Sequence, residues 1–234
     1  MPRCNPVCNK PPVGIKKFLT YITFAVACIL GCSCSKLPST PIPEPIAPLN
    51  IIAIDRSGST NGMRPLQKEC LDVVLAKAGK WSEEASIYVL DTELTCVREA
   101  KKVQRNEPIS DYVTNKLKTP DGDTGHKTRP ALLWKLLASE YSKEKSGRVI
   151  RVMFLTDGDN DWQKENKEIA ESASSLSKNP NVFIAICGVT GQSHRNLKPI
   201  LEPVLGKRIQ FVIGNDRASL ISSVTQLREA SERK

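Results

Sequence analysis

The sequence predicts an α/β fold: a three-layer, doubly wound, mostly parallel β-sheet flanked by helices, preceded by a signal segment and a proline-rich linker. Two observations carry this. From position 49 onward, β-type runs alternate with helical stretches of ten or more residues, and such alternation implies parallel strands joined by helical crossovers. The runs "VMFL" and "VFIAIC" are apolar throughout rather than at every second position, as strands covered on both faces are. The 234-residue length, with 40% hydrophobic and 25% charged residues, suffices for one domain plus an appendage.

In order, "NIIAID" is a short β-type run. In "GMRPLQKECLDVVLAKAGKW" the residues Met63, Leu66, Cys70, Val73, Val74 and Ala78 recur at helical spacing. "ASIYVLDTEL" is strand-like, and "TCVREAKKVQ" continues as a short edge strand. "NEPISDYVTNKLKTPDGDTGHKT" is polar and irregular. "RPALLWKLLASEYSKE" is a helix with Pro130 in its first turn. "RVIRVMFLTDGD" is a strand ending in an acid-rich turn, "WQKENKEIAESASSLSK" a helix with a polar face, and "NVFIAICGV" a strand. "HRNLKPILEPVL" reads as a short helical stretch interrupted by prolines, and "RIQFVIG" as the last strand. The closing helix, "DRASLISSVTQLREASERK", is capped by Asp216.

The boundaries follow from composition. In "KKFLTYITFAVACILGC" two lysines precede an apolar run from Phe18 to Leu30, which is too short for a comfortable membrane span. Residues 1–31 therefore read as a signal peptide. The ending "ILGC" resembles a bacterial lipobox, which implies lipidation at Cys32; Cys34 is the alternative. Residues 32–48 carry prolines at 38, 41, 43, 45 and 48, and proline fixes φ and removes a donor, so they form a semi-rigid spacer of roughly 3 Å per residue. Residues 49–234 form the domain. A membrane-anchored lipoprotein of the bacterial cell envelope, facing the extracytoplasmic side, follows from these segments.

The net charge of +9 falls to +5 when residues 1–31, with four basic residues and no acid, are set aside. The remainder is spread without Arg/Lys blocks interleaved with aromatics, so nucleic acid is not the expected partner. Of eight cysteines, only Cys70, Cys96 and Cys187 lie in the domain, and no Cys-x-x-Cys pair exists, which argues against a zinc site. Cys70 and Cys96 could pair in an oxidising compartment; three buried free thiols are equally consistent. His126 and His194 read as exposed loop residues, and Trp81, Trp134 and Trp162 as packing or surface residues.

Two strands end in carboxylate-rich turns. Asp55, Ser57 and Ser59 form Asp-x-Ser-x-Ser after the first. Asp157 stands in "LTDGDND" after a central one, with Asp159 and Asp161 on its solvated rim. Between them "DGDTGHKT" offers Thr124 and Thr128. In open sheets ligands bind beyond the carboxyl ends of strands, where strand order reverses. Two carboxylates with several hydroxyls suit a hard divalent ion, Mg2+ or Mn2+, and leave positions for water or an incoming oxygen.

"DRSGS", a threonine-bearing loop and "LTDGD" together resemble the von Willebrand factor type A (VWFA) domain and its metal-ion-dependent adhesion site, over residues 49 to about 231. The resemblance implies a Rossmann-like fold in which Ser57 and Ser59 touch the metal, Asp55 and Asp157 act directly or through water, and a loop threonine completes the set. Thr124 is preferred, with Thr128, closer to the helix, as the alternative. It also implies a binding module in which an Asp or Glu carboxylate of a partner protein fills the open metal position. A structural envelope protein that keeps the fold and ignores metal is the alternative. An extracytoplasmic phosphohydrolase is disfavoured, because a haloacid-dehalogenase-type Asp-x-Asp would need an acid at Ser57. "GDTGHKT" also fails as a phosphate loop, since His126 separates Gly125 from Lys127. The expectation is a protein that is not an enzyme.

Overall fold

A computed structural model describes residues 46–104, 128–158 and 161–233, apart from the side chains of 161 and 162. Cys32, the signal segment, most of the linker, Thr124, His126 and Asp159 lie outside the described residues.

Six strands form one sheet: β1 (Leu49–Asp55), β2 (Glu84–Leu90), β3 (Leu94–Lys102), β4 (Ile150–Leu155), β5 (Val182–Val189) and β6 (Ile209–Ile213), in the order β3-β2-β1-β4-β5-β6. All neighbours are parallel except β3, which runs antiparallel to β2 at the edge. Among the described residues five helices of more than two turns cover the sheet: α1 (Arg64–Lys80), α2 (Pro130–Tyr141), α3 (Asn166–Leu176), α4 (Gly191–Leu205) and α5 (Arg217–Glu232). The three-layer, mostly parallel α/β architecture is the one expected.

Strand alternation sorts the core into two layers. Leu49, Ile51 and Ala53 of β1 face α2, α3 and α4, whose Trp134, Ile169 and Leu201 are buried there. Ile52 and Ile54 face α1 and α5, through Leu71, Val74 and Leu220. Strands β1, β4 and β5 are buried at every residue, which is why they read as largely apolar runs, interrupted by Asn50 in β1 and Arg151 in β4. The chain winds from β1 outward to β2, and after β3 returns to the other flank of β1. Strand order therefore reverses between β1 and β4, whose ends are aligned by the pairing of Ile54 with Leu155.

Several elements differ from expectation for local reasons. "ASIYVLDTEL" does not stay one strand: Asp91 Oδ1 accepts the Glu93 amide at 2.9 Å, turning the chain into a β2–β3 hairpin. The expected 162–178 helix breaks after a single turn, Asp161–Lys164, because the Glu165 carboxylate accepts the Ala131 amide (2.8 Å) and pairs with Arg129, and so caps α2. The proline-interrupted stretch is a continuous 15-residue helix, α4. Pro199 and Pro203 lie on its exposed side, where the carbonyls they leave unbonded face water. Ser193, Leu197, Leu201 and Leu205, four apart, bury the other side. Asp216 caps α5 as expected, accepting the Ser219 amide at 2.8 Å.

Among the described residues the three cysteines are free thiols, Cys70 and Cys187 buried and Cys96 exposed. A Cys70–Cys96 disulfide is ruled out by the pleat. Cys70 packs in the α1–α5 layer, whereas Cys96 stands opposite Tyr88, which packs against the other layer. Trp134 is fully buried and Trp81 is exposed, a packing and a surface residue as expected; His194 is half-buried, edge-on to Phe211.

Gly188 in β5 has φ +95°, and a Cβ there would overlap Met63 Cε and sit 3.0 Å from the Thr156 carbonyl oxygen. Gly188→Ala is therefore expected to cost about 1–3 kcal/mol through backbone strain and crowding. A thermal melt indistinguishable from wild type would contradict it.

Candidate metal centre

The site forms where β1 and β4 end side by side. Asp55 closes β1 and is 1% exposed. Both its carboxylate oxygens are held: Oδ1 accepts the Ser57 amide (2.8 Å) and the Thr128 hydroxyl (2.9 Å), and Oδ2 accepts the Thr156 hydroxyl (2.6 Å). Burial raises the acid's pKa above the ordinary carboxylate value, with the hydrogen bonds from Thr156, Ser57 and Thr128 opposing it.

The loop beyond Asp55 is shaped by the same residues. A short 3-10 helix, Gly58–Met63, follows Ser57. The Thr60 hydroxyl donates towards the carbonyls of Asp55 (3.0 Å) and Ser57 (2.8 Å) and so curls the segment back over the strand end. Ser57 is buried and Ser59 exposed, yet their hydroxyl oxygens lie 3.0 Å apart. Gln67 of α1 reaches from the next turn to the Asp55 carbonyl at 3.0 Å and towards the Leu155 carbonyl at 3.4 Å, bridging the two strand ends.

On the β4 side, Thr156 is fully buried; its hydroxyl accepts the Gly158 amide (3.0 Å) while donating to Asp55. Asp157 follows, half-buried, and its carbonyl accepts the Thr190 amide at 3.0 Å. Gly158 has φ +69°, and a Cβ there would come within 2.9 Å of Ser193 Cβ, so the turn lies tight against α4. Asp55, Ser57, Ser59 and Asp157 are thus gathered at one strand-end corner. Thr128 is buried against Asp55, and Thr124 lies outside the described residues.

The donor set fits a small hard cation. Adjacent ligands of an octahedral Mg2+ at 2.0–2.1 Å stand about 2.9 Å apart, close to the 3.0 Å separating Ser57 Oγ and Ser59 Oγ. Two carboxylates balance a divalent charge. Among the described residues no three His, Cys, Asp or Glu side chains cluster, so the set depends on hydroxyl oxygens rather than soft ligands.

Three residues that shape this corner, Thr60, Gln67 and Thr156, carried no signal that assigned them a role. Thr156 stands beside Asp157 in the quoted turn, and its place at the end of an apolar strand is the one clue to its contact. Gln67 looks like any polar residue of an amphipathic helix.

No family model matches this sequence, and no curated protein matches it. Solved structures do match its fold. A von Willebrand factor type A protein from Catenulispora acidiphila superposes with a TM-score of 0.57 at 13% identity, over 79% of this chain and 42% of that one. Proximal thread matrix protein 1 from the mussel byssus, with a zinc-occupied MIDAS motif, gives 0.55 at 17% identity, over 78% and 46%. An aerotolerance-related membrane protein from Bacteroides fragilis gives 0.52 at 15% identity, over 78% and 99%. This chain spans less than half the length of the first two. At these identities the likeness establishes the fold, and the domain has the von Willebrand factor type A fold. Among the described residues no helix is long and apolar enough to cross a membrane.

Proposed function

We propose that this protein is a metal-dependent protein-binding module, not an enzyme, tethered to the bacterial cell envelope by a lipid on Cys32. One observation carries the reading: at the strand-order reversal a buried carboxylate, Asp55, anchors a loop whose two serine hydroxyls stand an octahedral edge apart. Mg2+ or Mn2+ would be held by Ser57, Ser59, Asp55, Asp157 and a loop threonine. Thr124 is the residue proposed from the sequence, and Thr128 is the alternative that touches Asp55. The bound ion would supply an open coordination position for a carboxylate oxygen. The chain's own residues do the rest. Thr156 and Gln67 fix the strand ends, and Thr60 holds the serine loop.

A second reading has its own support. Both oxygens of Asp55 are satisfied by protein donors, as they would be in a structural staple joining β1 to the Thr128 loop and β4. The two readings separate on capture. The chain carrying Cys32→Ser should retain its partner on magnesium-loaded beads, release it with chelator, and lose it in Asp157→Asn. Capture indifferent to both metal and Asp157 favours the staple. Hydrolysis of a phosphate ester that disappears with Asp55 would refute the non-enzyme reading.

A further inference from the structure

We propose that the edge of the sheet opposite the metal site docks on a membrane surface of anionic phospholipid headgroups. The connections that lead into the parallel strands all lie at this edge, and with the end of β3 they carry six exposed lysines. Lys101 and Lys102 end β3 beside the start of β2. Lys143 and Lys145 precede β4, Lys178 precedes β5, and Lys207 precedes β6; all six are exposed. From β3 to β6 they span five strand intervals, about 24 Å.

Two acids of the same edge are engaged internally. Glu83 is buried against Arg151 and Arg228, and Glu84 pairs with Arg148 at 2.6 Å. Glu144, between Lys143 and Lys145, accepts the Ser146 amide at 2.7 Å, and the six exposed lysines outnumber it, so the outward charge is positive, as a negatively charged leaflet requires. Trp81, 59% exposed just before β2, adds an aromatic ring with the Arg228 guanidinium 5.0 Å from its centre, a polar-apolar combination suited to a headgroup interface. A cleft of about 660 Å3 opens beside Lys207, walled by Pro180 and Phe183 and flanked by Arg208 and Arg233, wide enough for a phosphate group against an apolar wall.

The chain also enters the domain here. The Ala47 carbonyl accepts from Arg148 (2.9 Å), and the Pro48 carbonyl accepts the Glu84 amide (3.0 Å). In one respect the inference rests on the proposed function: a lipid on Cys32, fourteen residues before Ile46, would keep this edge within roughly 45 Å of the bilayer. The contacts of the edge then add to those of the tether. The seven residues of β1 separate the docking edge from Asp55 by about 20 Å, so docking leaves the metal site facing away.

The test uses the full chain with Cys32→Ser and Cys34→Ser, which carries no lipid, and vesicles of phosphatidylcholine with or without a one-third share of phosphatidylglycerol. Lys101→Glu, Lys102→Glu, Lys178→Glu and Lys207→Glu are combined in one variant; Lys→Gln at the same positions guards against misfolding from charge reversal. Each near-surface lysine is worth roughly fivefold in partitioning, so the four together should make the combined variant bind anionic vesicles about 600-fold more weakly, with neutral vesicles unaffected. The N-terminal apolar segment is the same in every protein compared, so its contribution cancels. Equal anionic binding by variant and wild type would overturn the proposal. So would a wild-type chain that ignores phosphatidylglycerol while binding single-stranded RNA through these lysines, which would make the edge a nucleic-acid surface. Lipid labelling at Cys32 and metal-dependent capture report the tether and the metal site separately.

Discussion

Glu83→Ala is expected to lower stability by about 3–5 kcal/mol, which for a domain of this size lowers Tm by roughly 6–20 °C. Glu83 lies just before β2 and is 3% exposed. Its carboxylate takes Nη1 of Arg151 on both oxygens at 3.0 Å, Nη2 of Arg228 at 2.9 Å and Nδ2 of Asn50 at 3.0 Å. Arg151 in turn donates to the Ser231 hydroxyl at 2.8 Å. One carboxylate thus ties β1, β4 and α5 to the start of β2. Removing it leaves the Arg151 guanidinium, itself 5% exposed, without its main counter-charge. The loss comes chiefly from that stranded charge, since a paired buried ion is worth little net. It follows that Arg151→Met with Glu83→Leu should recover much of the stability lost by Glu83→Ala alone. A denaturant series over the cycle measures this. A Glu83→Ala midpoint within experimental error of wild type would show that water already screens the cluster.

Much of the fold was legible because its signals are local. Strands β1, β4 and β5 are buried on both faces and therefore print as largely apolar words, and Pro130 and Asp216 mark helix starts by local chemistry alone. The β2–β3 turn at Asp91 was a local signal passed over, whereas two other misread elements turned on tertiary packing. The end of the one-turn helix at Lys164 depends on Glu165 reaching Ala131, and the continuity of α4 depends on which side of the helix Pro199 and Pro203 occupy. The site divides in the same way. Asp55, Ser57, Ser59 and Asp157 were readable because they follow strands at short spacing. Gln67 and Thr156 act across 88 and 101 residues, a reach that spacing in one sequence does not encode. Glu83 and Arg151 were passed over for the same reason, although an arginine in the middle of an apolar strand is a sign that a buried acid faces it.

Asp55→Asn is expected to remove the domain's response to magnesium without unfolding it. Asparagine keeps the shape of the side chain and one carbonyl oxygen for the Ser57 amide and the Thr128 hydroxyl. The Thr156 hydroxyl can rotate to accept from the new amide, so most hydrogen bonds of the corner persist. Wild type binding one ion only when folded gains about 2.7 kcal/mol at a hundredfold excess over Kd, a rise in Tm of roughly 5–11 °C. The variant, lacking one of two charges that balance the cation, should gain little, and Asp157→Asn should resemble it. Ser57→Ala and Ser59→Ala should reduce the gain less, since water can replace a hydroxyl ligand. The pH dependence has a definite sign. Because burial raises the folded-state pKa of Asp55, the folded protein holds that proton more tightly than the unfolded chain. In metal-free protein this residue's contribution to stability is present below the ordinary carboxylate value. It is lost as pH rises through the raised one and is flat above it. Asp55→Asn lacks that slope, so at neutral pH its metal-free form should melt at or above wild type. With magnesium the wild-type trend reverses, because the ion needs the ionised acid and its stabilisation fades as pH falls. Calorimetric melts of both proteins, with magnesium or chelator, across the carboxylate range and at neutral pH, read all of these at once. A magnesium shift of equal size in wild type and Asp55→Asn would remove Asp55 from the metal site and leave it the structural staple alone.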